Sequence, residues 1–327
     1  MRALITGGAG FIGSHLADRL VAQGATVWAL DDLSTGTRAN VAHLDRTPRF
    51  RLVEGSVLDP ALVDNLVAQC DVVYHLAAAV GVRRILAEPR RSIEVNLHGT
   101  EHVLAAAARH GRPVLVASTS EVYGKNAGGP LREDDDAIVG STRTTRWLYA
   151  ITKAADECLA LAYARETGLP VVVVRLFNTI GPRQTGAYGM VVPRLVDQAL
   201  RGAPLTVYGD GQQTRCFTYV DDALAAMQAL MATPAARGDV FNVGQPREVT
   251  IERLATLIRE LAGSDSPIAY IPYEQAYGAG FEDMRRRVPD ISKLQRLTGF
   301  VPRVPLEEAL RRIIEHAKSV HGQRPAP

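Results

Sequence analysis

The sequence predicts an α/β chain built on a doubly wound parallel sheet. Short β-branched runs alternate with longer apolar-periodic stretches through the first half. Val171-Val172-Val173-Val174 is the continuous apolar run expected of a strand buried on both faces. A glycine-rich turn, Gly7-Gly8-Ala9-Gly10-Phe11-Ile12-Gly13, joins the first such run to the first such stretch.

The strands expected are Ala3–Thr6, Thr26–Leu30, Arg51–Glu54, Val72–His75, Val114–Ala117 and Val171–Arg175. Helical patterns at Ile12–Ala22, Pro60–Ala68, Ile93–Arg109 and Ile151–Glu166 lie between them. After Phe177 the rhythm changes. A Gly- and Pro-rich loop precedes a helix from about Val192 to Arg201 and a short strand at Leu205–Val207. A polar turn at Gly209-Asp210-Gly211-Gln212 leads to a strand at Cys216–Val220, then to a helix with Asp221 placed as its N-cap. Phe241-Asn242-Val243 reads as another strand. From Thr250 to about His316 the pattern is helical, with one strand at Ile268–Ile271. The second half is therefore expected to form a smaller, discontinuous lobe over the carboxyl edge of the sheet, where open α/β sheets bind ligands. The polar, Pro-rich end, about 319–327, reads as a flexible tail.

Composition narrows the function classes. The 327 residues, 46% of them hydrophobic, suffice for one large domain with a lobe or for two domains. Lys and Arg number 37 against 35 Asp and Glu, a formal charge of +2, and the charges are interspersed. No basic stripe points to nucleic acid and no polybasic segment to a membrane. Cys70, Cys158 and Cys216 are too far apart for metal-ligand spacing, the eight histidines form no metal motif, and no metal site is expected. No run approaches ~18 uninterrupted apolar residues. Arg2-Ala3-Leu4-Ile5-Thr6 starts a strand at once, without the pattern of a signal peptide, so a cytoplasmic location is expected.

The glycine turn lies between a strand and a helix, the context a Rossmann-type dinucleotide cradle requires. Gly7 would make the tight turn, Gly10 would admit the pyrophosphate, and Gly13 would let the helix pack close to the sheet. The helix N-terminus offers free N–H groups and a partial positive charge to phosphates. The second strand ends in Leu30-Asp31-Asp32. A carboxylate there can accept the adenosine ribose hydroxyls and repel a 2′-phosphate, which favours NAD over NADP; Arg38, a few residues on, is the counter-indication.

Tyr149 and Lys153 are four apart at the start of a helix and share one face. An ammonium beside a phenol lowers its pKa, so Tyr149 could take a proton from a sugar hydroxyl as hydride leaves for NAD. Alone, this spacing also fits a surface lysine and a half-buried tyrosine. Thr119, at the end of the strand Val114–Ala117, would bring a hydroxyl to the same sheet edge.

On these residues the chain resembles the extended short-chain dehydrogenase/reductase family of nucleotide-sugar epimerases, dehydratases and decarboxylases. The resemblance extends over His75-Leu76-Ala77-Ala78, Asn96-Leu97-His98-Gly99-Thr100, Arg175-Leu176-Phe177-Asn178, Gly181-Pro182-Arg183, Tyr208-Gly209-Asp210-Gly211, Arg215 and Phe241-Asn242-Val243-Gly244. It implies a tightly held NAD that cycles within one turnover, touched by Gly7, Gly10, Phe11, Ile12, Gly13, Asp31, Leu76, Ala77, Ala78, Asn96, Tyr149 and Lys153. It implies a UDP-sugar substrate, met by Ser120, Asn178, Val192, Tyr208 and Arg215. Residues 1–177 with about 216–244 would hold the cofactor, and 178–215 with 245–318 the sugar nucleotide. The helices Ile93–Arg109 and Ile151–Glu166 would pair two copies through a four-helix bundle, although Leu159 and Tyr163 are most simply core. Ser56 is a departure, since the family usually places an adenine-contacting Asp there.

Within the family, 4,6-dehydratases usually carry Thr-Asp-Glu, because eliminating water needs an acid where Ser120 stands. Hexose 4-epimerases usually have a small or hydroxyl residue where Glu121 stands. Thr119-Ser120-Glu121 resembles UDP-glucuronate decarboxylases, both the xylose-forming enzymes and the decarboxylase of the lipid A aminoarabinose pathway. Arg146-Trp147-Leu148-Tyr149 is similar to that enzyme's run into its catalytic tyrosine. Tyr277-Gly278-Ala279-Gly280-Phe281-Glu282-Asp283 followed by Arg287-Val288-Pro289 resembles the segment that carries its active-site arginine. The resemblance thus gives Thr119, Glu121, Tyr149, Lys153 and Arg287 catalytic roles, with Arg285 and Arg286 as neighbours of the last. Oxidation at the sugar 4-position would make a β-keto acid, and loss of carbon dioxide an enolate needing electrostatic stabilisation. A 4-epimerase needs only Thr119, Tyr149, Lys153 and room for the sugar to turn. A non-catalytic NAD-binding regulator on the same fold is the remaining alternative.

Overall fold

The computed structural model describes residues 1–126, 128–187, 189–277 and 284–321. Six parallel strands come from the first half: β1 (Arg2–Thr6), β2 (Thr26–Asp31), β3 (Phe50–Glu54), β4 (Val72–His75), β5 (Val114–Thr119) and β6 (Val171–Leu176). A seventh, Asp239–Val243, pairs in parallel with β6, giving the order Asp239–Val243, β6, β5, β4, β1, β2, β3. The chain leaves β1 toward β2 on one side and reaches β4 on the other. A crevice therefore opens at the carboxyl end of β1, the switch point of the sheet.

Alternation along the strands divides the core between two faces. Ala3, Ile5, Val172 and Val174 pack toward the helices Phe11–Ala22 and Val220–Ala232, and Val191–Leu200 and Ile251–Ala262 continue the same apolar cluster. Leu4, Val73, Val114, Val116, Val171 and Val173 pack toward Pro60–Ala68, Pro89–His110 and Leu148–Thr167. Leu159 and Tyr163 lie partly buried against that second face. Strands and helices mostly extend the expected spans by a residue or two. The long helix begins earlier, at Pro89, whose missing N–H costs nothing at a helix start, and it ends at Gly111 in the left-handed conformation.

One expected strand, Cys216–Val220, is divided. Cys216 closes Thr214–Cys216, antiparallel to Glu248–Thr250, whereas Thr218–Tyr219 pairs in parallel with Thr179–Ile180. Two partners lie in different directions, so the chain turns at Phe217. Val220 already belongs to the next helix, and Asp221 sits in its first turn rather than at its N-cap. Leu205–Tyr208 pairs with Ile268–Ile271. Tyr208, Arg215, Phe217, Ile251 and Tyr273 from these later elements line one cavity with the residues at the carboxyl ends of β1, β4 and β5. Residues 322–327 of the expected tail lie outside the described residues.

Candidate active site

A cavity of about 540 Å³ opens over the carboxyl ends of β1, β2, β4, β5 and β6. One side of the cavity is built by the glycine turn. Gly7 adopts φ +70°, and a Cβ on Gly13 would stand 2.1 Å from the Gly7 carbonyl oxygen, so only hydrogen fits there. The helix Phe11–Ala22 starts without a side-chain cap and without an acidic residue in its first turn, leaving its N–H groups to an anion in the cavity. Gly7, Gly10, Phe11, Ile12 and Gly13 line the cavity, as do Asp31, Asp32, Leu76, Ala77 and Ala78. This cradle fits a dinucleotide pyrophosphate. Asp31 also holds the turn, accepting from Ala9 N–H (2.9 Å) and Leu33 N–H (2.8 Å). Burial raises its pKa, and those bonds work against the shift. Arg38 is paired with Glu54. Ser56 does not line the cavity; its hydroxyl accepts from Leu58 N–H at 3.2 Å.

Farther along the cavity, Thr119 closes β5 in extended geometry, and its hydroxyl accepts from Glu121 N–H. The resulting tight turn places Ser120 and Glu121 beside Tyr149, and all four line the cavity. Burial would raise the Glu121 carboxyl, but Arg146, Arg287 and Arg215 together hold it below the usual carboxylate range. Arg146 grips it with two nitrogens, Nη1 to Oε2 at 2.5 Å and Nη2 to Oε1 at 3.3 Å. Arg287 Nη1 lies 3.6 Å from Oε1 and donates to Ser120 Oγ at 3.1 Å. Arg146 and Arg287 are buried, so these contacts are little screened by solvent.

The position of Arg287 is fixed from outside the cavity. Leu131 N–H donates to the Val288 carbonyl and Asp290 N–H to the Leu131 carbonyl, both at 2.8 Å. Asn242 Nδ2 donates to the carbonyls of Leu131 and Asp290 while Tyr123 donates its hydroxyl to Asn242. Arg286 points elsewhere, onto Glu248. Residues 278–283, part of the stretch that suggested Arg287, lie outside the described residues.

Asn178, Val192, Tyr208 and Arg215 line the far end. Arg194 stacks over the Tyr208 ring at 4.2 Å from its centroid. Asn178 adopts φ +30° and donates to the Cys216 carbonyl.

Two expected site residues do not line the cavity. Asn96 is fully buried. Its amide accepts from Ala79 N–H (2.8 Å) and donates to Thr152 Oγ1 (3.0 Å), tying the loop after β4 to the helix of Tyr149. Lys153 is buried behind Tyr149 and donates to Asp156 at 2.8 Å. The expected lowering of the Tyr149 phenol is not what the structure shows: burial first, then Glu121 and Asp156, pushes it well above its ordinary value. The i+3 carboxylate occupies the ammonium that spacing alone assigned to the phenol. The clasp by Arg146 was not foreseen either. Its only sequence signal was its place in the run before Tyr149.

Among the described residues, no group of three or more His, Cys, Asp or Glu is arranged to hold a metal ion. Nor is any helix among them long and apolar enough to cross a membrane.

The sequence profile of the NAD dependent epimerase/dehydratase family matches residues 3–244. The chain is 44% identical over 322 residues to the UDP-N-acetyl-alpha-D-glucosaminuronate decarboxylase of Bacillus cytotoxicus, covering 98% of this chain and 99% of that protein. It is 39% identical over 315 residues to UDP-glucuronic acid decarboxylase 1 of Xenopus tropicalis, covering 96% of this chain and 72% of the relative. Among solved structures, a variant of the UDP-glucuronic acid 4-epimerase of Bacillus cereus, in complex with NAD and UDP-4-deoxy-4-fluoro-glucuronic acid, superposes with a TM-score of 0.88. It is 30% identical, over 98% of this chain and 100% of that one.

Proposed function

The chain belongs to the NAD dependent epimerase/dehydratase family, and from that premise we propose that it decarboxylates a UDP-hexuronate of the glucuronate class after oxidising its 4-hydroxyl. The observation that carries this reading is the group of guanidiniums, from Arg146, Arg287 and Arg215, converging on the one carboxylate of Glu121 beside Thr119 and Tyr149. Such a site suits a substrate with a carboxylate next to the reacting carbon.

Bound NAD, cradled by Gly7, Gly10 and Gly13, supplies the hydride acceptor. Ionised Tyr149 takes the proton from the 4-hydroxyl, the positive charge of the bound nicotinamide working against the burial that raises the phenol, and Thr119 holds that oxygen. The 4-ketone makes the 6-carboxylate a β-keto acid. Carbon dioxide then leaves its electron pair as an enolate, and the nearby guanidiniums stabilise that charge as it develops. Ionised Glu121 holds Arg146 and Arg287 in place; it is not a proton donor at neutral pH. The enolate carbon takes up one proton from solvent, the proton that the overall reaction consumes, while the phenol keeps the one from the 4-hydroxyl. Were the bound cofactor to give its hydride back to the 4-carbon, the phenol would return that proton to the 4-oxygen and the product would be UDP-pentose; release before that step would give a UDP-4-keto-pentose with the cofactor left reduced. Residues 1–177 with about 216–244 would carry the cofactor, and 178–215 with 245–318 the sugar nucleotide, with Arg215 on the diphosphate. Three free thiols, two of them buried, suit a reducing cytoplasm. The helices Pro89–His110 and Leu148–Thr167 are the proposed faces of a homodimer.

Arg287→Ala separates the two half-reactions. On mixing with UDP-glucuronate, bound NAD should still be reduced while carbon dioxide release slows by about 10²-fold, the loss typical of one electrostatic donor. The same assay with UDP-N-acetylglucosaminuronate tests the 2-substituent. Release at the wild-type rate from both nucleotides would remove Arg287 from the step. Galacturonate formed without carbon dioxide would instead make the protein a 4-epimerase, like its structural neighbour.

A further inference from the structure

Tyr149, Lys153 and Asp156 stand at i, i+4 and i+7 of the helix Leu148–Thr167, on one stripe. Lys153 and Asp156 are 1% and 0% exposed, and the ammonium donates to Asp156 Oδ2 at 2.8 Å. A buried carboxylate thus sits against the lysine that the redox step needs, on the side away from the cavity.

The groups around the pair are few. Burial raises the Asp156 carboxyl, and the Lys153 ammonium works against that shift. Asp156 Oδ2 meets Lys153, while Oδ1 is buried with no hydrogen-bond partner among the described residues. His75, on β4, bridges Thr6 Oγ1 at 2.8 Å and Thr100 Oγ1 at 3.0 Å, and burial keeps its imidazole neutral by lowering its pKa to about 3. Glu157, the next carboxylate on the helix, is bound up with Ser118 of β5 and Arg175 of β6. Glu121, in the turn after β5, lies near Tyr149 and is paired with Arg146, in the turn before the helix. Asp156 is therefore the carboxylate that meets the Lys153 ammonium.

We propose that Asp156 is a positioning residue for the redox step: it seats the Lys153 ammonium and offsets its charge, and so sets the pH range in which Tyr149 can act as a base. This rests on the proposed role of Tyr149. In that arrangement Lys153 gives Tyr149 a fixed neighbour but only part of its positive charge.

The test is Asp156→Asn, which keeps an acceptor for the ammonium and removes the charge. The first readout needs no substrate. The Tyr149 phenol is titrated by the tyrosinate absorbance difference between each protein and its Tyr149→Phe counterpart. The midpoint should fall by about one pH unit in Asp156→Asn and return toward the wild-type value in Asp156→Glu. The second readout is kcat/KM against pH with UDP-glucuronate, whose acid limb should move down by the same amount. An unchanged or raised midpoint in Asp156→Asn overturns the proposal, whatever the enzyme's substrate proves to be. If the wild type turns over no UDP-hexuronate but the phenol midpoint falls, the functional reading fails and the role of Asp156 stands. Should the Asn variant not fold, Asp156→Ser removes the same charge from a smaller volume and carries the same expectation.

Discussion

At the residue scale the site is a balance of charges held in low dielectric. Glu121 keeps its ionised form because guanidiniums outweigh the cost of burial. The grip of Arg146 is two-pronged, which lysine cannot reproduce. Arg146→Lys should let Glu121 and Arg287 drift and lower kcat on the order of 10²-fold, with little effect on NAD binding. Unchanged turnover would make the clasp merely structural. His75 gives a second prediction. Its folded pKa, about 3, lies below the ordinary value of 6.5, so as pH falls the unfolded chain takes up the proton first. Its contribution is complete above about 6.5 and is lost as pH falls from there toward 3. Urea unfolding of the wild type should show stability rising with pH across this window, with a shallower slope in His75→Asn. Equal slopes would contradict the buried neutral imidazole. Spacing placed Tyr149 and Lys153 on one helix face, but alone it fitted a surface lysine as well. The ammonium's preference for Asp156 was not legible, because a carboxylate three residues on is common on any solvated helix face.

The elements show which local signals govern. The glycine turn was readable because each glycine answers a local demand: a positive φ at Gly7 and a backbone contact at Gly13. Gly13→Ala would drive a methyl into the Gly7 carbonyl at 2.1 Å. It should abolish NAD binding, measured by calorimetry, and lower the melting temperature. Wild-type affinity would mean that the turn does not hold the cofactor. The β-branched runs also declared their strands, since both faces of the sheet are covered. The divided strand around Phe217 was not readable. Its pairing partners, Glu248–Thr250 and Thr179–Ile180, lie far from it in sequence and on different sides.

Across the whole molecule, the site depends on contacts that spacing cannot reveal. Ser120 and Arg287 are 167 residues apart yet share a hydrogen bond. The crossing order of the strands and the seating of residues 288–290 on Leu131 bring them together. Resemblance pointed to Arg287, but only the fold supplies its reason for being there. The proposed homodimer also belongs to this scale. Sedimentation should give twice the chain's 35.3 kDa, and charge pairs introduced on the outward faces of Pro89–His110 and Leu148–Thr167 should return it to monomer. A wild-type monomer at micromolar concentration would refute that arrangement.

The most direct measurement is a proton NMR time course of the wild-type protein with UDP-glucuronate and NAD, with carbon dioxide trapped in parallel. A pentose anomeric signal should rise in step with one carbon dioxide per sugar consumed. A galacturonate signal with no carbon dioxide would contradict decarboxylation.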